Sequence, residues 1–198
     1  HGGGGPGAGA VGCKDFLAAY LPQSVTLDGP GRKQVRSFAG NFLVVVKALS
    51  YLLTLGKEGI PAASAGAVLN ANYLMKQLMD HYDMSYNTRC MHEFVMTLQG
   101  LAHDTGVTAM DVAKRLLDFG IHPPTMYFPL IVHEALMVEP TETESKQTLD
   151  AYIEALREIV ALGKSDPQQL LDAPVKMPVR RLDETAAARH MILTEDME

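Results

Sequence analysis

Apolar positions in the first half of the chain predict two consecutive helices. Residues 37–55 are apolar on nearly every side of a helical projection, including the contiguous run 42–46. A helix of that kind must be covered all round, so we expect self-association through residues 38–81. Gly56 ends this stretch, and Pro61 suits the start of a second helix, where its missing N–H has no partner to lose. The apolar stripe of the second helix runs to about residue 81 and contains Val68, Ala71, Met75, Leu78 and Met79.

After residue 81 the pattern predicts short strands and capped helices. Apolar and polar residues alternate over 90–98, which favours a strand. The next helix has signals at both ends, because Thr108 and Asp111 form a capping box and Gly120 supplies a left-handed stop. Short strands are predicted at 125–128 and 135–138. Thr141 with Glu144 is predicted to cap a last long helix that ends near residue 163.

This order of elements predicts an α+β fold with two parts. Residues 82–198 read β-α-β-β-α, which indicates a small C-terminal domain whose antiparallel or mixed sheet carries helices on one face. Residues 1–81 contain no predicted sheet of their own. We therefore interpret them as the end of a larger domain.

Composition excludes several classes of protein. The 198 residues are 47% hydrophobic and 20% charged, which is typical of a soluble globular protein. A net charge of -6 argues against nucleic acid as a partner. The most apolar stretch, 42–55, is too short to span a bilayer, so no membrane role is expected. Cys13 and Cys90 lie far apart without metal-ligand spacing, and no export signal opens the chain; both observations favour a reducing cytoplasm and no metal.

The glycine-rich segment at residues 1–5 allows bare backbone to approach a ligand closely. A disordered linker is the plain alternative. A phosphate-binding P-loop is excluded because Lys14 is followed by Asp15. A dinucleotide fingerprint stays open, since Asp28 is roughly in place but no preceding strand is visible. The His-Gly-Gly-Gly oxyanion loop of esterases needs a Gly-x-Ser-x-Gly motif downstream, and this sequence has none.

Six longer segments resemble the glycine decarboxylase P-protein family of the glycine cleavage system. They are His-Gly-Gly-Gly-Gly-Pro-Gly at 1–7, His-Glu-Phe at 92–94, Asp-Val-Ala-Lys-Arg-Leu at 111–116, His-Pro-Pro-Thr-Met at 122–126, Leu-Met-Val-Glu-Pro-Thr-Glu at 136–142 and Arg-Leu-Asp-Glu at 181–184. The segments follow the family's order and cover nearly the whole chain. The resemblance is strongest to the C-terminal part of subunit 2 of the two-subunit bacterial form.

The resemblance implies a pyridoxal phosphate enzyme of the aspartate aminotransferase fold type. Such an enzyme decarboxylates glycine and transfers aminomethyl to the lipoyl group of the carrier H-protein. The implied partners are glycine, lipoylated H-protein and subunit 1, in an oligomer. In this family the Schiff-base lysine precedes the glycine-rich loop, so the resemblance implies that this chain lacks it and is inactive alone. A non-catalytic assembly domain or subunit is the alternative.

The resemblance also implies where ligands bind. His1, Gly2, Gly3, Gly4 and Gly5 would form the active-site wall beside the cofactor, although the glycines could instead serve only a tight turn.

Three residues of the C-terminal domain are substrate-side candidates. His122 and Thr125 flank two prolines, which stiffen the segment. His92 shares its predicted strand face with apolar residues, so a core histidine is an equal alternative.

The residues before the last long helix also bear on the substrate. Glu139 in this region either reaches the substrate or caps that helix. The region contains no arginine for a substrate carboxylate, which fits a carboxylate that must leave.

Overall fold

The computed structural model describes residues 5–21 and 40–194. They belong to two compact units, His1–Pro61 and Ala62–Glu198. The first unit contains a 3₁₀ helix, Asp15–Tyr20, and the beginning of helix α1, Phe42–Leu78. The assignment of residues 1–81 to the end of a larger domain stays a prediction. Within the described residues, 62–78 belong to the second unit.

Helix α1 joins the two predicted helices into one element with an interruption. Gly56, which was predicted to end the first helix, has non-helical dihedral angles, with φ 63° and ψ -169°. The prediction that the second helix starts at Pro61 is wrong, because residues 57–60 are already helical. Lys57 and Glu58 are good helix formers, which favours this earlier start. Residues 37–39 of the predicted first helix lie outside the described residues.

The two ends of α1 differ in burial. Its C-terminal part buries Ala71, Leu74, Met75 and Leu78 at helical spacing, which confirms the stripe predicted there. The large apolar residues nearer its start are exposed, with Leu43 at 78% and Leu53 at 73%. The expected self-association through residues 38–81 stays a prediction. No helix in the described residues is long and apolar enough to cross a membrane.

Four short antiparallel strands form the sheet, in the order β1-β2-β4-β3. They are β1, Asp83–Met84; β2, Phe94–Thr97; β3, Thr125–Met126; and β4, Ala135–Val138. The strand predicted over 90–98 is therefore shorter, since only 94–97 pair along β4. The strand predicted over 125–128 stops at Met126, because Tyr127 adopts a left-handed φ of 57°.

The remaining helices are α2, Gln99–Thr105; α3, Ala109–Asp118; α4, Lys146–Ser165; α5, Gln168–Leu171; and α6, Glu184–Arg189. The capping box of α3 is confirmed: Thr108 Oγ1 accepts from the Asp111 N–H, and the Asp111 carboxylate accepts from the Thr108 N–H at 2.8 Å. Gly120 has the expected left-handed φ of 73°.

The predicted cap of the last long helix is wrong. Ser145, not Thr141, caps α4 and accepts a hydrogen bond from the Thr148 N–H at 3.1 Å. Thr141 and Glu144 instead belong to a turn closed by a 3.3 Å hydrogen bond from the Glu144 N–H to the Thr141 carbonyl.

The core lies between one face of the sheet and the helices α1, α3 and α4. Phe94 and Met96 of β2 pair with Val138 and Leu136 of β4, and these apolar side chains are all buried. Fully buried helix residues that belong to the same core include Leu74, Leu78, Val112, Leu116, Leu156 and Ile159. This arrangement confirms the predicted α+β class with a small sheet and flanking helices.

Candidate functional site

A cleft of about 540 Å³ opens in the second unit. One wall is the segment 120–125 that connects α3 to β3, and the floor is the end of β4 with Leu74 of α1. Residues 138–144 form the rim, and the first two turns of α4 close the other side. Most of the lining is apolar, as in typical small-molecule sites.

His122 and Thr125 both line this cleft. Gly120 turns the chain out of α3, and Pro123 and Pro124 then fix φ at two of the next positions. Thr125 is held in place because it pairs with Met137 across β3 and β4. The structure therefore brings these two candidates into one wall, and their contact with substrate stays a prediction.

His92 lies outside the cleft and is not a core histidine. Its side chain is 52% exposed, and β2 begins only at Phe94, four residues later than the predicted strand. His92 Nε2 is 3.8 Å from Glu139 Oε1 and 3.9 Å from Glu93 Oε2. Glu139 does line the cleft, so His92 approaches the site only through this glutamate. The alternative that Glu139 caps the following helix is wrong, since Ser145 does so. An exposed pair of this kind contributes about 1 kcal/mol or less.

The turn 141–144 at the rim is fastened to α1. Asn70 Nδ2 donates to the carbonyls of Thr141, at 2.9 Å, and Glu144, at 3.2 Å. Sequence reasoning missed Asn70. A signal existed, because asparagine is a poor helix former and its side chain favours bonding to backbone groups.

A second asparagine, Asn72, fastens the segment before β2. Its Nδ2 donates to the Cys90 carbonyl at 2.8 Å, and its Oδ1 accepts from the Cys90 N–H at 3.2 Å. Two residues after Cys90 stands His92. Asn72 therefore fixes the chain from which His92 reaches towards Glu139.

Helix α4 supplies Thr148 and Tyr152 to the cleft. Burial raises the pKa of the Tyr152 hydroxyl above its usual value. Outside the cleft, Asp150 joins α4 to α1: it accepts from the Tyr73 hydroxyl and pairs with Lys146 Nζ at 2.6 Å. The bonds from Lys146 and Tyr73 lower the pKa of the Asp150 carboxyl.

The charges of the cleft do not suit an anionic ligand. Among the described residues no lysine or arginine lines it, whereas Glu139 and Glu144 do. Apart from the N-terminal turns of α4, which border it, the described lining of the cleft therefore offers no cationic side chain to the phosphate of pyridoxal phosphate. The described residues also contain no group of three or more His, Cys, Asp or Glu that could hold a metal ion.

The predicted cofactor wall lies mostly outside the described residues. His1, Gly2, Gly3 and Gly4 lie outside the described residues, and Gly5 is exposed. Their role beside a cofactor stays a prediction.

Known proteins similar to this chain share one description. A family model described as "Glycine dehydrogenase, C-terminal domain" matches residues 63–170. A probable glycine dehydrogenase (decarboxylating) subunit 2 of Treponema denticola is 52% identical over 204 residues, which cover 98% of this chain and 42% of that protein. The corresponding protein of Thermotoga maritima is 50% identical over 199 residues, covering 96% and 42%. The chain thus spans less than half the length of these relatives.

A solved structure supports the fold alone. The crystal structure of a glycine decarboxylase (P-protein) of the glycine cleavage system, in inhibitor-bound form, matches 62% of this chain and 27% of its own with a TM-score of 0.52. The sequence identity is 22%.

Proposed function

Since the chain belongs to the glycine dehydrogenase (decarboxylating) family, as the C-terminal part of subunit 2, we propose that the full-length protein decarboxylates glycine in the glycine cleavage system. The aminomethyl group would pass to the lipoyl group of H-protein. The resemblance to this family is confirmed by the family match over 63–170 and by relatives about half identical over nearly the whole chain. The relatives carry the decarboxylating enzyme's name over a length that this chain only partly spans.

One observation supports a direct role for this part of the protein: the cleft gathers His122, Thr125 and Glu139 in one site. We propose that the His122 imidazole and the Thr125 hydroxyl orient the substrate by hydrogen bonds. Glu139 and Glu144 disfavour a carboxylate beside them, because like charges repel. No cationic side chain among the described lining residues would hold the carboxylate back, which suits a group that must depart.

We further propose pyridoxal phosphate as the cofactor of the full-length protein, bound outside the described cleft. Its wall would include His1 and Gly2 to Gly5, and its Schiff-base lysine would come from the part of the protein that this chain does not contain. Subunit 1 and lipoylated H-protein are the proposed partners. A cytoplasmic oligomer is the proposed form.

The experiment measures exchange of labelled bicarbonate into glycine by full-length subunit 2 with subunit 1 and H-protein. His122→Ala should lower the exchange rate by about tenfold to a hundredfold, because misplacing a substrate by about 1 Å costs that much. His103→Ala is the matched control, since that histidine is 87% exposed and does not line the cleft. The 198-residue chain alone should show no exchange. Equal rates for both variants, or activity of the chain alone, would contradict the proposal.

A non-catalytic assembly role is the second candidate, favoured by the exposed apolar residues near the start of α1. Leu43, Leu49 and Leu53 lie there, each more than half exposed. Stable binding of the 198-residue chain to subunit 1, together with an unaffected His122→Ala enzyme, would favour this role over the catalytic one.

A further inference from the structure

The rim turn at residues 141–144 carries two of the polar groups that face the cleft. Thr141 and Glu144 both line it, and the turn leads directly into the Ser145 cap of α4. Three glutamates, Glu139, Glu142 and Glu144, lie within six residues of one another here. The position of this exposed turn depends on its contacts with α1.

Asn70 makes the first of two contacts that hold the turn against α1. Both partners of its side chain are carbonyl oxygens, so the amide nitrogen must face them and donate. The two acceptors are three residues apart, at Thr141 and Glu144, so one side chain ties both ends of the turn to α1.

Gly66, one helical turn before Asn70, is a second and independent point of close contact between α1 and the turn. A Cβ added at Gly66 would lie 3.3 Å from the Glu142 Cβ, which is tighter than ordinary van der Waals contact. The absence of a side chain at 66 thus lets the middle of the turn approach the helix, while Asn70 binds its ends.

We propose that Asn70 is a positioning residue, which with Gly66 sets the width of the cleft at its acidic rim and so the enzyme's affinity for its substrate. This inference rests on the proposed function. Asn70 itself does not line the cleft and acts through Thr141 and Glu144.

Steady-state kinetics of the full-length enzyme, with subunit 1 and H-protein, test the inference. Asn70→Ala should raise the KM for glycine by about five- to tenfold and change kcat by less than about twofold, because it displaces a binding wall and no reacting group. Asn70→Asp, which has the same shape but would place an acceptor-only carboxylate against two carbonyl oxygens, should raise KM at least as much as Asn70→Ala. Asn70→Gln, which can donate, should recover part of the affinity.

Gly66→Ala separates positioning from stability. Alanine is the better helix former, so the melting temperature should hold or rise, yet the added Cβ pushes the turn outwards and should raise KM about twofold. Thr105→Ala is the matched control for lost bonds. It removes two side-chain bonds, to the Leu101 carbonyl and from the Val107 N–H, and does not line the cleft. Its KM should stay unchanged.

Hydrogen exchange on the full-length protein gives a readout that does not require activity. Asn70→Ala should speed amide exchange in peptides covering residues 141–148, and Thr105→Ala should not. Faster exchange without a rise in KM would overturn the inference and leave the proposed function intact. Unchanged exchange would also overturn it. A wild-type enzyme without bicarbonate exchange would overturn the proposed function and this inference together.

Discussion

Replacing Asp118 with asparagine should destabilise the second unit by about 2–4 kcal/mol at pH 7. The Asp118 side chain is 1% exposed and lies at the end of α3. Its carboxylate accepts from the N–H groups of Val175, at 2.9 Å, and Lys176, at 2.7 Å, and pairs with Arg115 at 3.2 Å. It thereby ties the segment after α5 to α3.

The size of this destabilisation depends on which hydrogen bonds asparagine can still make at position 118. One oxygen remains an acceptor and can keep the Val175 and Lys176 N–H groups, whereas the other becomes an NH₂ that cannot accept from Arg115 or hold the second, 3.0 Å branch of the Val175 bond. A hydrogen bond to a charged group contributes about 1.5–3 kcal/mol. The Arg115 guanidinium, 14% exposed, also loses its counter-charge. A melting temperature lower by about 5–15 °C is expected for a chain of this size.

The direction of the Asp118 pKa shift determines how this stabilisation changes with pH. Burial alone would raise the pKa of the Asp118 carboxyl, but the bonds from Lys176, Val175 and Arg115 outweigh burial and lower it. The stabilisation is therefore complete above the unfolded-state pKa of about 3.9 and is lost as the pH falls through the lower folded-state pKa.

Urea unfolding followed by circular dichroism, at pH 7 and in steps to pH 3, measures this difference. The control is Asp104→Asn, which removes the same charge from a side chain 75% exposed and should cost about 0.5 kcal/mol or less. A difference from wild type at pH 7 no larger than the control's would refute the reasoning. So would a difference that stays constant down to pH 3.

Three further predictions concern the cap, the core and the exposed start of α1. Thr108→Ala should lower the free energy of unfolding, measured in urea, by about 1–2 kcal/mol, because it removes the hydroxyl that accepts from the Asp111 N–H in the capping box. Leu156→Ala should cost about 2–5 kcal/mol, since the residue is fully buried, whereas Leu130→Ala, 84% exposed, should change stability by about 0.5 kcal/mol or less. Light scattering should show the wild-type chain associating and a Val44→Glu, Val46→Glu variant associating less; a wild type that stays monomeric at high concentration would contradict this.

The sequence predicted those features whose cause is local. The capping box at Thr108 and Asp111 spans one helical turn, and Gly120 stops the helix by its own left-handed φ. The pairing part of β2 was found because alternation is a property of neighbouring residues. The resemblance supplied the family, and the stiff segment around His122 was singled out from its prolines alone.

Errors arose where two local signals competed. Thr141 and Ser145 both precede α4 with residues suited to capping, and local pattern could not choose between them. In the structure Ser145 is the cap, and the Thr141 hydroxyl bonds to the Thr143 hydroxyl instead. His92 was predicted to lie on a strand face because apolar and polar residues alternate from residue 90. In the structure, β2 pairs with β4 only from Phe94 onwards.

Amino-acid sequence by itself thus predicted the α+β class, the family and the elements with strong local signals, but not β1 or α2. Only the tertiary structure decided how the cleft is held. Asn70 reaches carbonyls more than 70 residues away, and Asp118 accepts from N–H groups 57 and 58 residues away. Each of these contacts joins a side chain to a backbone group. Backbone groups are the same at every position, so no residue pattern marks the partner in advance; the fold brings the two together.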